Sequence, residues 1–168
     1  MTLPPETRRD RDAAGRARNA RPRDALGRLL RRGAPGEPPM PDEQARAPDA
    51  ALDLAQQLID SGRMFRAHEV LEASWKAAPP AERELWRGLA QVMVGLTHAQ
   101  RGNARGAAAL LRRGGQRVAC YADGGPPYGI EAAGVARFAA QLADLVERDG
   151  LAAAGPSALR VRLRSATR

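Results

Sequence analysis

Glu84–Gln100 reads ELWRGLAQVMVGLTHAQ, and its periodicity decides the fold. Wound at 3.6 residues per turn, Leu85, Leu89, Val92, Leu96 and Ala99 make one apolar face. Trp86, Ala90 and Met93 make a second, and Gly88, Gln91, Val94, Gly95 and His98 a third. A helix apolar nearly all round is buried on all sides, so this one belongs at the centre of the domain. Gly88 and Gly95 each cost about 1 kcal/mol in a helix interior, and close approach of a neighbouring element to the third face is the expected return.

Outward from this segment the helical pattern repeats. Pro79-Pro80 opens the central helix, with Glu82 and Glu84 in a first turn where acids suit the helix dipole. Upstream, helices are predicted over 48–61, apolar at Ala51, Leu54, Ala55, Leu58 and Ile59, and over the stretch containing Phe65–Trp75, FRAHEVLEASW. Downstream, Gly102-Asn103 reads as a stop followed by an N-cap. A helix over 103–121 then buries Ala107, Leu110, Leu111, Gly114 and Val118. After the loop DGGPPYG (Asp123–Gly129), a last helix over 130–148 buries Val135, Phe138, Leu142, Leu145 and Val146. No strand-period alternation is read anywhere, and aromatics are only 4% of the chain, which favours an all-α core of Ala, Leu and Val. The expected fold is a compact bundle of about five helices built from antiparallel helical hairpins.

The formal charge of the 168 residues is +8, and its placement matters more than its size. Residues 1–47 hold 11 Arg against 7 acids, residues 48–150 hold 12 basic and 12 acidic groups, and residues 151–168 hold 4 Arg and no acid. The chain therefore divides into a mostly disordered Arg/Pro-rich arm and linker (1–47), a neutral helical domain (48–150) and a flexible basic C-terminal tail (151–168). Within the arm only Asp24–Arg32, DALGRLLRR, could form a short helix, and Gly33–Glu43 is a Pro/Gly linker. Nucleic acid is a partner only through 1–47 and 151–168. One cysteine, Cys120, excludes an intramolecular disulfide and fits a reducing cytoplasm. No apolar run approaches the ~18 residues of a membrane span.

The polar chemistry gathers in two places. Phe65, His68, Leu71, Glu72 and Trp75 fall within an arc of roughly 120° on one helix, with His68 and Glu72 one turn apart. Gln91 and His98 share the glycine-bearing stripe of the central helix. If the helix carrying Phe65–Trp75 packs on that stripe, His68, Glu72, Gln91 and His98 form one cluster. Three readings of it follow: a hydrogen-bond network fixing helix register, a ligand or catalytic site with a histidine oriented by a carboxylate, or a divalent-metal site with His68, Glu72 and His98 as ligands. No other cofactor is expected. Trp75 and Trp86 bracket the Pro-Pro turn, as a sealed corner or as the lip of a cleft. His-Glu-x-x-His, a phosphate-binding glycine loop and Gly-x-Ser-x-Gly are all absent. Ser74 lies away from His68, which argues against a serine triad.

The pieces FRAHEVLEASWKAAP and ELWRGLAQVMVGLTHAQRGNARGAAALLRRG carry three motifs in order: His-Glu-x-Leu-Glu-x-x-Trp, Gly-Leu-x-Gln and His-x-x-x-Gly-Asn-x-x-Gly-Ala. In these the chain resembles the bacterial and archaeal family called domain of unknown function 309, over roughly residues 52–120. The pattern falls on His68, Glu69, Glu72, Trp75, Gly88, Gln91, His98, Gly102, Asn103 and Gly106. The resemblance implies a compact all-helical domain and transfers no catalytic residue. The favoured function is a small cytoplasmic, non-catalytic module that binds a protein partner or small-molecule ligand and can form a homo-oligomer. A metal-binding protein or enzyme using the polar cluster, and a nucleic-acid-associated protein using its basic ends, are the alternatives.

Overall fold

The computed structural model describes residues 21–38, 40 and 45–165. Five α-helices follow in order: α1 (Pro48–Asp60), α2 (Met64–Ala77), α3 (Arg83–Gln100), α4 (Ala104–Ala119) and α5 (Ala132–Asp149). The protein is all-α, with no named strand among the described residues. No described helix is long and apolar enough to cross a membrane.

The central place of α3 follows from its composition. Leu85, Trp86, Gly88, Leu89, Ala90, Val92, Met93, Gly95, Leu96, Thr97 and Ala99 are all buried. It packs against α2 on one side and α4 on the other, while α4 also packs against α5 and α1 against α2. The glycine face is spent on α4. A Cβ on Gly88 would stand 2.8 Å from Val118 Cγ2, and one on Gly95 2.9 Å from Leu111 Cγ and 3.2 Å from the Ala107 oxygen. Residues ascending α3 thus meet residues descending α4, so these two helices run antiparallel. Gly115 on the second side of α4 does the same for α5, where Ala139 Cβ would lie 3.0 Å from an added Cβ. This use of small residues on both sides explains why Ala108, Gly115, Ala139 and Ala143 are buried, while Leu110, Phe138 and Leu145 are only half-buried.

The predicted C-terminal tail departs most from its reading. Two short 3-10 turns, Leu151–Ala153 and Pro156–Leu159, lead into an extended run from Arg160, and Leu159 at the end of the second turn is buried in the main core with Val161 and Leu163 of the run. Leu159–Arg164 is LRVRLR, a period-two alternation that puts every apolar residue on one side. The charge reading of 151–168 passed over that pattern. The strap covers Leu52 of α1, which is buried although it lies off the stripe predicted for that helix. Arg164 accordingly belongs to the compact unit, paired with Asp49 at 3.0 Å and with Asp53.

Residues 21–38 belong to a separate unit. The short helix expected over Asp24–Arg32 is replaced by a turn with isolated bridges from Arg23 to Leu29 and Glu37. Asp24 Oδ1 accepts from the Leu26 and Arg28 amides at 3.0 and 2.8 Å, and Gly27 takes φ 72°, which together stop a helix from starting. The remainder of the predicted disordered arm and part of the linker lie outside the described residues.

Candidate polar face between α2 and α3

Burial leaves one stripe open on each of two neighbouring helices. On α2, Phe65, His68, Glu69, Glu72 and Trp75 are half-buried, while Met64, Arg66, Ala67, Val70, Leu71 and Ser74 are buried. On α3, Glu84, Arg87, Gln91, Val94, His98 and Arg101 make the corresponding line at three- and four-residue spacing. Two cation–π stacks tie the stripes together. The Arg87 guanidinium lies 5.3 Å from the Trp75 ring centroid and that of Arg101 5.8 Å from the Phe65 centroid. The later residue of α2 meets the earlier residue of α3, so the stacks bracket a common face. His68 and Glu72 sit between the brackets on α2, and Gln91, Val94 and His98 sit between them on α3.

The four polar residues share this face without forming one hydrogen-bonded cluster. His68 Nε2 is 3.7 Å from Glu72 Oε2, an i,i+4 approach longer than a hydrogen bond, and Lys76 Nζ bridges Glu72 Oε1 at 3.0 Å. Gln91 Oε1 instead accepts from Arg117 Nε at 3.0 Å, and that guanidinium also pairs with Glu84. His98 Nδ1 lies 2.9 Å from Asn103 Nδ2. The expected junction of all four required α2 on the glycine stripe of α3. With α4 there instead, Gln91 and His98 take their partners from α4 and its cap. Side-chain exposures of 21% for His68 and 33% for Glu72 place that pair at the surface and not in a sealed core. Among the described residues no group of three or more His, Cys, Asp or Glu side chains is placed to hold a metal ion, so His68, Glu72 and His98 are not assembled as a ligand set.

The state of His98 follows from the cap. Asn103 Oδ1 accepts the Gly106 amide at 2.9 Å, which caps α4 and turns the Nδ2 donor toward the imidazole. Nδ1 is then the acceptor and the proton sits on Nε2, an assignment made from the network. Burial first, and the nearby Arg101 charge second, hold its pKa below the usual 6.5, so the ring is neutral at pH 7. Gly106 is needed here: a Cβ would stand 2.5 Å from Asn103 Nδ2 and 3.0 Å from His98 Nδ1.

Over this region the chain can be compared with known proteins. Residues 52–110 match the family model described as domain of unknown function (DUF309). The resemblance carried by the three motifs is thus found independently, and α2, α3 and the capped start of α4 lie wholly within the DUF309 match. The chain is also similar to the uncharacterized protein YpuF of Bacillus subtilis (strain 168), 37% identical over 65 residues. That match covers 38% of this chain and 37% of YpuF, so it spans little more than a third of either protein. No solved structure matches.

The two tryptophans separate in role. Trp86 is fully buried, its Nε1 donating to Glu82 Oε2 at 3.1 Å and its ring 6.0 Å from that of Tyr128. Tyr128 donates to the other oxygen of Glu82 at 3.1 Å, so this corner is closed. Only Trp75 remains at a surface edge, under Arg87. The arginines at the brackets and Arg117 were not singled out from the sequence. For Arg87 and Arg101 the signal is the 87–91–94–98–101 spacing, which runs beside the glycine stripe. Ser74 is buried and bonded to its own helix, its hydroxyl donating to the Val70 oxygen at 3.3 Å.

Proposed function

We propose that the α2–α3 face is a recognition surface for a polypeptide partner, and that the protein is a non-catalytic binding module of the cytoplasm. The observation that carries this reading is the open run of His68, Glu72, Gln91 and His98 between two arginine–aromatic stacks. Phe65 and Trp75 are ten residues apart on α2, about 15 Å at the helical rise. Four or five residues of extended chain span that length. An elongated surface strip of this kind suits a segment of polypeptide better than a small molecule, which favours a concave cavity. The groups offered are mixed: a carboxylate at Glu72, an amide at Gln91, a ring N–H at His98, and guanidinium edges at the rims. Aromatic and arginine side chains of this sort are the usual anchors of protein interfaces.

The test compares the proteins that co-purify with the tagged full chain, with a Glu72→Ala/Gln91→Ala double variant, and with Arg112→Ala as a control. Arg112 pairs with Asp144 at 2.6 Å and with Glu147 on the α4–α5 side, away from the face. A specific set retained by the wild type and the control but lost by the double variant supports the reading. An identical set for all three refutes it.

A further inference from the structure

The strap Leu159–Arg164 occupies a slot whose contacts are those of a polypeptide-binding site. Gln56 on α1 reads its backbone twice: Oε1 accepts the Leu163 amide at 2.9 Å and Nε2 donates to the Val161 oxygen at 3.1 Å. The side-chain amide thus acts as a short piece of strand edge, and Nε2 is oriented by a second bond to Asp60 Oδ1 at 3.0 Å. From the start of α5 the Glu131 amide donates to the Leu163 oxygen at 2.8 Å, and Ile130 forms an antiparallel bridge with Arg164. Main-chain bonds of this kind are indifferent to sequence. Specificity comes from alternate side chains, as when an extended peptide adds to a sheet edge. Here Leu159, Val161 and Leu163 fill apolar sites, and Asp49 and Asp53 on α1 receive Arg164.

Two features separate the strap from the helices it covers. It follows α5 through two short 3-10 turns with a glycine ahead of each, Gly150 and Gly155, and the contacts that join α1 to α2, α2 to α3, α3 to α4 and α4 to α5 are made between the helices themselves. Beside the strap's end lies an open cavity of about 500 Å³, walled by Leu52, Asp53, Gln56, Tyr128 and Glu131 together with residues 162–165. An incoming chain can make its first contacts in that space before the strap leaves.

We propose that this slot is a peptide-binding site, held by the chain's own strap and open to an extended partner segment with apolar residues at three alternate positions followed by arginine. The strap is then a competitor in cis. Its tethering gives a high effective concentration, so a partner binds weakly until the strap is loosened.

The test uses the full chain and, as probe, a fluorescent peptide with the sequence of residues 156–165. In a Leu163→Asp chain the cis strap is weakened, and peptide binding by anisotropy is expected to tighten by about tenfold or more over the wild-type chain. Adding Gln56→Ala to that variant is expected to remove the binding, and a peptide carrying Leu163→Asp is expected not to bind. Absence of binding while helical ellipticity is intact overturns the proposal, as does binding that survives Gln56→Ala. A Leu163→Asp chain that dimerises and excludes the peptide assigns the slot to a second copy and overturns it too. If that variant loses its helices, hydrogen exchange of the wild type decides. A Leu163 amide exchanging far faster than those inside α3 supports a detachable strap, and equal rates make the strap an integral part of the core.

Discussion

The close approach of α4 to the backbone of α3 gives the sharpest test of the packing. A Cβ on Gly114 would lie 2.8 Å from the Gly88 oxygen, 2.8 Å from the Val92 nitrogen and 2.9 Å from Val92 Cγ2. Favourable carbon contacts begin near 3.5 Å, so Gly114→Ala is short of room by about 0.6 Å. Two of the three obstructing atoms are backbone, so no change of rotamer relieves the overlap. The axes of α3 and α4 must separate, which also loosens Gly95 against Leu111. Overpacking costs about 1–3 kcal/mol, and the upper part of that range applies. Replacing glycine by alanine in a helix returns about 1 kcal/mol. The net expectation is a loss of about 1–2 kcal/mol. With a urea slope of about 2 kcal/mol/M, the midpoint falls by about 0.5–1 M. Gly134→Ala on α5 is the matched control. Its nearest neighbour would be Glu131 Cβ at 3.6 Å, an ordinary contact, so only the helix-propensity gain remains and stability rises by up to about 1 kcal/mol. Urea unfolding followed by helical ellipticity reads both. If Gly114→Ala stabilises the chain as Gly134→Ala does, α3 and α4 are not in this close approach.

Three further expectations follow from the two ends of the α3–α4 pair. Asn103→Ala removes the cap of α4 and costs about 1 kcal/mol; long-range proton–nitrogen spectra should show His98 as the Nε2–H tautomer in the wild type and as a mixture in the variant. Because burial and Arg101 depress the His98 pKa, the unfolded chain protonates first, so the stability contributed is complete above pH 6.5 and is lost as pH falls through the lower folded value. The stability gap between wild type and His98→Gln should therefore shrink below pH 6.5, and a gap that widens there contradicts the assignment. Glu84→Gln weakens a part-exposed ion pair with Arg117, so it should cost under about 1 kcal/mol, and less again in 1 M salt.

The sequence displayed the number of helices, the burial of α3 and the capped turn at Gly102-Asn103, because each rests on local periodicity or on a residue suited to one backbone shape. It did not display which neighbour the glycine face of α3 receives. Phase alone allowed α2 or α4. The discriminating signal lies on the partner: α4 carries Ala107 and Gly114 seven residues apart, matching Gly88 and Gly95, whereas the stripe of α2 carries Phe65, His68 and Trp75, too large for such an approach. The single cluster of His68, Glu72, Gln91 and His98 required α2 on the glycine stripe, and with α4 there Gln91 bonds to Arg117 and His98 to Asn103. The strap was missed for a different reason. Its alternation, LRVRLR, is only six residues long, and arginine at every second position gives it the composition of a solvated basic tail.

The positions that carry the DUF309 pattern divide by what the fold asks of them. Gly88 admits the backbone of α4. Gly102, at φ 78°, turns the chain between α3 and α4, Asn103 caps the helix that follows, and Gly106 leaves room for the Asn103–His98 bond. These four are explained by packing and backbone geometry alone. His68, Glu72 and Trp75 are not. They sit half-buried, Trp75 packed on the edge of the core, and among their bonds the long His68–Glu72 approach, the Glu72–Lys76 pair and the stacked Arg87 are of a kind worth a few tenths of a kcal/mol to about 1 kcal/mol each at a surface. Gln91 falls between the two groups, bonded to Arg117 yet open to the same face. The sides of these residues that the core leaves open line the strip between Phe65 and Trp75, which is where the proposed partner would meet the protein.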